Sequence, residues 1–412
     1  MPTEPSAPRP LAESEFDQFL YLDELAFGSE PPSAAALEID KGLLERDRTI
    51  GVFDGPQLVG GASIFSFEMT VPGGRIPMAG VSWVSVMPTH RRRGILSSMM
   101  RHQLHDLHES GGEAVAGLTA SEPPIYGRFG YGLASRVARL TIPRLHSGLR
   151  MPAGSDAVSL RVVPTEESLE ACEEVYARQV PKRAGMLVRT PAWANAYASD
   201  PEDWRDDRSR LRTVLAERDG QAVGYTRYRV KQEFSNGAPA GRVSVNELYA
   251  DDAAAYAVLL RYLVSVDLMT TTELPGVPLD APPLRLLDNP RAANASVKDA
   301  LYIRLVDMDR ALASRTYSAQ IDTVIDVTDT FCRWNAGRWR LTGDEKGATC
   351  ERTTAAPDIA LGVRELGSVF LGGASLASLG AAGLVEERRN GALAEASRAF
   401  VTELEPWMSF GF

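Results

Sequence analysis

Apolar positions in the first third of the chain change period twice. In "EFDQFLYLDELAFG" they recur at Phe16, Phe19, Leu20 and Leu25, which is the spacing of one helix face. From "RTIGVFDGPQLVGGASIF" to "VSWVSVMP", short β-rich runs are cut by Asp54-Gly55 and Gly73-Gly74, predicting an antiparallel meander. Between Ile95 and His108 the helical period returns, with Leu96, Met99, Met100, Leu104 and Leu107 on one face and Gly111-Gly112 as the stop. "AVAGL" (114–118) predicts a short buried strand ahead of the loop "TASEPPIYGRFGYG".

The same order then recurs. "RTVLAERDGQAVGYTRYRV" (212–230) repeats strand, Asp-Gly turn, strand, and "VSVNELYADDAAAYAVLLRYLVSVD" (243–267) repeats strand, charged junction, apolar helix. The junctions differ in sign. The first has Arg91, Arg92, Arg93 and Gly94 where the second has Asp251, Asp252, Ala253 and Ala254, so an anion site in the first cannot exist in the second. The second copy is expected to be structural.

A proline-dense stretch, "PGVPLDAPPLRLLDNPRAA" (275–293), predicts a boundary. Beyond it, "IDTVIDVTDTFCRWNAGRWRL" alternates at period two and predicts a hairpin turning at Asn335-Ala336-Gly337, with Trp334 and Trp339 on its flanks. "PDIALGVRELGSVFLGG" and "ALAEASRAFVTEL" predict helices. The fold class is mixed α/β and α+β, in three domains: 1–150, 151–293 and 294–412.

Composition narrows the partners. The chain has 412 residues, 54 acidic against 44 Lys and Arg, and a net charge of −10, which opposes nucleic acid as the main partner. Its three cysteines, Cys172, Cys332 and Cys350, form no CxxC pair, so neither a disulfide framework nor a zinc site is indicated. His102, His105 and His108 spread over a wide arc without an HExxH partner and predict a polar helix face rather than a metal site. The leader "MPTEPSAPRPLAESEF" lacks an apolar core, and no run approaches the ~20 residues of a membrane span. A soluble, cytoplasmic protein with no membrane partner is expected.

Against that acidic background, "VMPTHRRRGIL" (86–96) concentrates three arginines ahead of a glycine and a helix. A helix start has unpaired N–H groups and the positive end of the dipole, glycine lets an anion approach the backbone, and arginine adds permanent charge. The spacing fits neither a P-loop nor a dinucleotide fingerprint. It is similar to the R/Q-x-x-G-x-G/A turn of GNAT acetyltransferases, with Leu96 in the last small position. Together with "LTASEPPIYGRFGYG", it resembles the Eis (enhanced intracellular survival) family of multi-domain GNAT N-acetyltransferases.

That resemblance covers the whole chain. It implies tandem GNAT domains, each a central mixed sheet with flanking helices, the first active and the second degenerate, then a sterol-carrier-like α+β domain. It further implies acetyl-coenzyme A as co-substrate, no metal, and a small-molecule amine (aminoglycoside-like or polyamine-like) as acceptor. Backbone groups of Ser85, Val86 and Met87 are implied for the pantetheine; Arg93, Gly94, Ile95, Leu96, Ser97 and Ser98 for the pyrophosphate; Ser121 and Glu122 beside the cofactor. Tyr126 matches the family's general acid, and the terminal carboxylate of Phe412 its base. A phenol near pKa 10 facing a thiolate near 8.5 must either be lowered by the site or act as a hydrogen-bond donor. The family's homohexamer of paired trimers is implied as well. Peptide or protein lysines remain possible acceptors, and lipid binding by the third domain is the non-enzymatic alternative.

Overall fold

The structure, a computed structural model, describes residues 5–412. The first four residues of the proline-rich leader lie outside that range. The chain divides into two compact units, the first made of residues up to Pro32, Asp40–Ser135 and Ala300–Phe412, the second of Ser33–Ile39 and Arg136–Asp299.

In the first unit the expected meander is present. Strands Thr49–Asp54, Gln57–Val71 and Gly74–Val86 pair antiparallel in sequence order, and Val115–Thr119 follows as a parallel neighbour. The sheet is then completed by distant chain: Leu301–Leu305 pairs with Val115–Thr119 on one side and Gly132–Leu133 on the other. The helix Ile95–Glu109 buries Ile95, Met99, Met100, Leu104 and Leu107 on one face of the sheet. Gly60 makes this docking possible, since a Cβ there would lie 2.4 Å from the Ile95 side chain. The helix Phe16–Phe27 covers the opposite face, where Phe19 meets Trp83 and the Cβ position of Gly61.

A five-stranded sheet forms the rest of this unit, in the order Gly347–Arg352, Gly337–Asp344, Ile321–Thr328, Ile359–Gly362, Val385–Glu387. The expected hairpin is its Ile321–Thr328 and Gly337–Asp344 pair, but Gly337 already pairs with Val327, so the turn expected at Asn335-Ala336-Gly337 is instead a longer connection with a 3-10 turn at Arg333–Asn335. A second expectation is corrected. The segment predicted as a single helix begins as the strand Ile359–Gly362, with Ile359 and Leu361 buried in alternation, before the helix Val363–Val369.

The second unit holds a seven-stranded sheet in the order Ser296–Asp299, Arg136–Pro143, Met269–Val277, Gly241–Ala250, Gln221–Lys231, Arg212–Arg218, Ser159–Val163. The helix Ala253–Ser265 packs on it, as the repeat predicts. The compact units depart from the linear cuts at two strands. Arg136–Pro143 pairs with Met269–Val277, and Leu301–Leu305 with Val115–Thr119, so each sheet takes a strand from beyond its expected boundary.

Three glycines in "YGRFGYG" record how tightly the two halves of the first unit pack. A Cβ on Gly127 would meet the Arg364 guanidinium at 3.0 Å, one on Gly130 the Arg304 guanidinium at 2.7 Å, and one on Gly132 the Arg364 carbonyl oxygen at 1.9 Å. Because the last obstacle is backbone, Gly132→Ala is expected to destabilise by at least about 3 kcal/mol, the upper range for a single overpacked site. Urea unfolding is the measurement. A loss under about 0.5 kcal/mol would show that the loop relaxes freely.

Candidate active site

The parallel ladder between Gly74–Val86 and Val115–Thr119 has only two rungs, Ala79 with Ala116 and Gly80 with Gly117. Beyond Gly80 the strands part. On the other edge, Ser85 still pairs with Gly61 and Ser82 with Ser63, so Trp83 and Val84 together oppose Ala62. This is a bulge, and Trp83 takes φ 52° within it, an unusual conformation for a bulky side chain. The bulge turns the end of the strand along a cavity of about 820 Å³, within the usual size of a ligand site.

One wall of the cavity is Val84, Ser85 and Val86; the facing wall is Ser121, Glu122, Ile125, Tyr126 and Arg128. Ala26 and Phe27 close one side, and His90, Arg91, Arg92, Gly94, Ile95, Leu96 and Ser97 form the floor. Gly94 is the N-cap of the helix, with φ 83° and no side-chain capping bond. The Ser98 N–H is the first to close the helical ladder, onto the Gly94 carbonyl at 2.9 Å. The N–H groups of Ile95, Leu96 and Ser97 therefore have no acceptor in the helix, and they open on a cavity flanked by Arg91 and Arg92. His90 ties this junction to the Asp54 turn through Nε2, 3.2 Å from Oδ2, and Arg91 reaches the Ala26 carbonyl at 3.1 Å.

The equivalent mouth in the second unit is filled by its own chain. Asp252 is the N-cap of Ala253–Ser265 and accepts from the Ala255 N–H at 3.0 Å. Arg218 pairs with Asp252 at 2.7 Å and Arg178 with Asp251 at 2.8 Å. What is open and basic in one copy is capped and neutralised in the other.

Of the residues implied by the sequence, Ser85, Val86, Gly94, Ile95, Leu96, Ser97, Ser121, Glu122 and Tyr126 line the cavity together. Met87, Arg93 and Ser98 do not. The Met87 N–H is taken by the Val59 carbonyl at 3.0 Å, and the Ser98 N–H by Gly94. The left-handed Arg92 (φ 64°) turns the chain so that Arg91 and Arg92, rather than Arg93, border the space. Ala26, Phe27, Ile125 and Arg128 are additions that only the tertiary approach of two separate segments provides. Phe412 stands apart from the lining. Its ring lies 4.8 Å from Phe67 and 6.5 Å from Phe65, and 3.0 Å from where a Gly80 Cβ would sit, beside the point at which the strands begin to part.

Tyr126 is only 8% exposed, held in the short helix Pro123–Tyr126 with its ring edge-on to Tyr131 at 6.0 Å. Burial, assisted by Glu122 and opposed by Arg128, pushes its phenol up to about 12. It stays protonated at any working pH and is a permanent hydrogen-bond donor.

The histidines lie on a partly exposed helix face, and two of them have partners. His108 stacks on Trp334 at 4.1 Å and bonds Asp307 through Nδ1 at 2.5 Å, while His105 meets the same indole edge-on at 4.9 Å. They clamp the helix to the C-terminal half of the unit. Among the described residues no group of three or more His, Cys, Asp or Glu side chains is placed to hold a metal ion, and no helix is long and apolar enough to cross a membrane.

Relatives identify the kind of enzyme that carries this uncapped, arginine-flanked helix start beside a bulged, parting strand. The acetyltransferase (GNAT) domain family matches residues 7–134, a second GNAT family matches 185–305, and the sterol carrier protein domain family matches 308–409. The N-acetyltransferase Eis of Mycobacterium tuberculosis is 32% identical over 93% of both chains. This chain belongs to the Eis family of GNAT N-acetyltransferases. An uncharacterized N-acetyltransferase of Streptomyces avermitilis is 49% identical over 96% of this chain and 97% of its own. Eis1 of Mycobacterium abscessus superposes with a TM-score of 0.84 at 33% identity, covering 99% of this chain and 100% of its own. A GCN5-related N-acetyltransferase of Anabaena variabilis reaches the same TM-score at 18% identity, over 98% of this chain and 99% of its own, which speaks to the fold alone. The Eis-family chain is thus an acetyltransferase built of two GNAT domains and a sterol carrier domain, and GNAT enzymes in general draw their acetyl group from acetyl-coenzyme A.

Proposed function

We propose that this Eis-family enzyme transfers the acetyl group of acetyl-coenzyme A to primary amines of small molecules, polyamine-like or aminoglycoside-like, by direct attack of the amine. The observation that carries the reading is the floor of the cavity: three unpaired N–H groups at Ile95, Leu96 and Ser97, under Arg91 and Arg92, suited to a diphosphate. The backbone of Ser85 and Val86, on the edge without a strand partner, suits the amide groups of the pantetheine arm, with Ser121 and Glu122 opposite. When bound, the co-substrate supplies a thioester carbonyl and a thiolate leaving group.

Tyr126, which lines the same cavity, would serve that sulfur. Full transfer of a proton from a phenol near 12 to a thiolate near 8.5 runs uphill by about 3.5 units, roughly 5 kcal/mol, so Tyr126 acts foremost by donating a hydrogen bond to the developing charge. The terminal carboxylate of Phe412 serves as the general base for the attacking amine. The ring's seat on Phe67 beside Gly80 supports a terminus held at the parting of the strands. The family's hexamer of paired trimers is carried over too, and light scattering after size-exclusion chromatography checks it.

The test is thiol release from acetyl-coenzyme A over a panel of amines, with mass spectrometry of the products. Amine-dependent release with a gain of one acetyl group per turnover is expected. Silence across the panel, combined with tight lipid binding, would replace this reading by a carrier function. A polypeptide extension fused after Phe412 moves the carboxylate away and is expected to lower kcat by about ten-fold or more. Full activity of the extended chain would remove Phe412 from the scheme.

A further inference from the structure

The junction between strand and helix is longer in the first unit than in the second. Each strand end carries the same backbone bond: the Met87 N–H donates to the Val59 carbonyl at 3.0 Å, and the Asp251 N–H to the Val223 carbonyl at 2.8 Å. In the second unit the N-cap Asp252 follows at once. In the first, residues 88–93 come between Met87 and the N-cap Gly94.

That inserted loop is poorly suited to hold its own shape. Arg91, Arg92 and Arg93 are consecutive like charges, all exposed, and the backbone is left-handed at Arg92 (φ 64°) and Gly94 (φ 83°). A non-glycine residue keeps such a backbone only where its surroundings fix it. His90 is the one buried side chain in 88–93. Its Nδ1 meets the Thr89 hydroxyl at 2.9 Å and its Nε2 meets Asp54 Oδ2 at 3.2 Å, so both ring nitrogens are engaged. With a carboxylate as acceptor, Nε2 carries the proton.

The repeat marks Asp54 as an anchor. Asp54 pairs with Gln57 across its turn, and Arg218 pairs with Gln221 across the matching turn of the second unit. Val59 and Val223, which receive the strand-end bonds, each stand two positions beyond the glutamine. Arg218 in turn grips the N-cap Asp252 at 2.7 Å. Equivalent turn positions therefore hold the helix junction in both units, with the signs exchanged. A base holds an acidic cap where the mouth is closed, and an acid holds the histidine of a basic loop where it is open.

We propose that Asp54, acting through His90, is a positioning residue for the diphosphate of the acyl donor. The latch keeps loop 88–93 in the turn that brings Arg91 and Arg92 to the cavity beside the open N–H groups of Ile95, Leu96 and Ser97. Asp54 is itself outside the cavity lining. Its loss penalises donors that carry a diphosphate and spares donors that end at the pantetheine arm. The inference rests on the acetyl-transfer reading and concerns how that reaction selects its donor.

Asp54→Ala removes the acceptor, whereas Asp54→Asn keeps an oxygen for the His90 Nε2–H. Initial rates are compared for acetyl-coenzyme A and for S-acetylpantetheine, which lacks the diphosphate and the nucleotide. In Asp54→Ala, KM for acetyl-coenzyme A should rise about ten-fold or more, the size of one lost charge-assisted bond, while kcat stays within about two-fold. Its kcat/KM for S-acetylpantetheine should fall by less than about two-fold, and Asp54→Asn should recover most of the lost affinity for acetyl-coenzyme A. His90→Leu should repeat the Asp54→Ala loss, and the double variant should be no worse than either alone, since each breaks the same latch. Equal losses for the two donors, a fall in kcat in place of a rise in KM, an unchanged KM, or additive losses in the double variant would each overturn the proposal and leave acetyl transfer standing. Titration calorimetry with coenzyme A reads the latch without turnover. Protein inert towards every amine, yet binding coenzyme A more tightly than Asp54→Ala does, would bring down acetyl transfer and retain the latch.

Discussion

Gly94→Asp is expected to reduce coenzyme A affinity by about 100-fold or more. The substitution puts at the first helix start the negative charge that Asp252 brings to the second, where the carboxylate accepts from the Ala255 N–H. Nothing lies within 4 Å of a Cβ at Gly94, so the side chain fits, and aspartate is among the residues that tolerate the left-handed backbone found there. The carboxylate stands at the open N–H groups meant for the diphosphate and sets like charge against it. Losing two charge-assisted hydrogen bonds at 1.5–3 kcal/mol each amounts to roughly 3–6 kcal/mol, or two to four decades in Kd. Titration calorimetry with coenzyme A measures it, and Gly94→Ala separates backbone strain from charge. Affinity within about three-fold of the wild type in Gly94→Asp would mean that the diphosphate binds elsewhere. Arg92→Ala should weaken binding more than Arg93→Ala, since only Arg92 borders the cavity.

Tyr126→Phe is expected to lower kcat by about 100-fold while coenzyme A affinity stays within about two-fold. The ring and its packing on Tyr131 survive the change, and only the donor is lost. The pH dependence carries a sign of its own. Because the phenol is held at about 12, it keeps its proton through the alkaline range, whereas an ordinary tyrosine would lose it around pH 10. The wild-type rate should therefore show no tyrosine-dependent decline below about pH 11. A turnover number in Tyr126→Phe equal to that of the wild type would leave the thiolate to be stabilised by some other group.

The basic mouth was legible because its parts are neighbours in sequence. Three arginines, a glycine and a helical period stand within eleven residues, and the aspartates of the repeat supply the contrast. Tyr126 was found through the loop around it, whose glycines look like flexibility in the sequence and turn out to be points of close approach by Arg364 and Arg304. What escaped detection depends on distant segments meeting. Alternation marks a strand but carries no record of its neighbour, so the crossing of Leu301–Leu305 and Arg136–Pro143 between sheets was invisible. The polar histidine face carried no sign of its contact with Trp334, more than two hundred positions away.

The late strand also has a consequence for how the protein is made. Some 180 residues separate Thr119 from Leu301, its neighbour in the sheet (301 − 119 = 182). At ordinary ribosomal speeds of about 5–20 residues per second, the nascent acetyltransferase waits roughly ten to forty seconds with that edge uncovered. During this interval an exposed strand edge can recruit chaperones or the wrong partner, and any messenger that ends before codon 300 yields a sheet that never closes. The first sheet is thus complete only after about three quarters of the polypeptide has been translated.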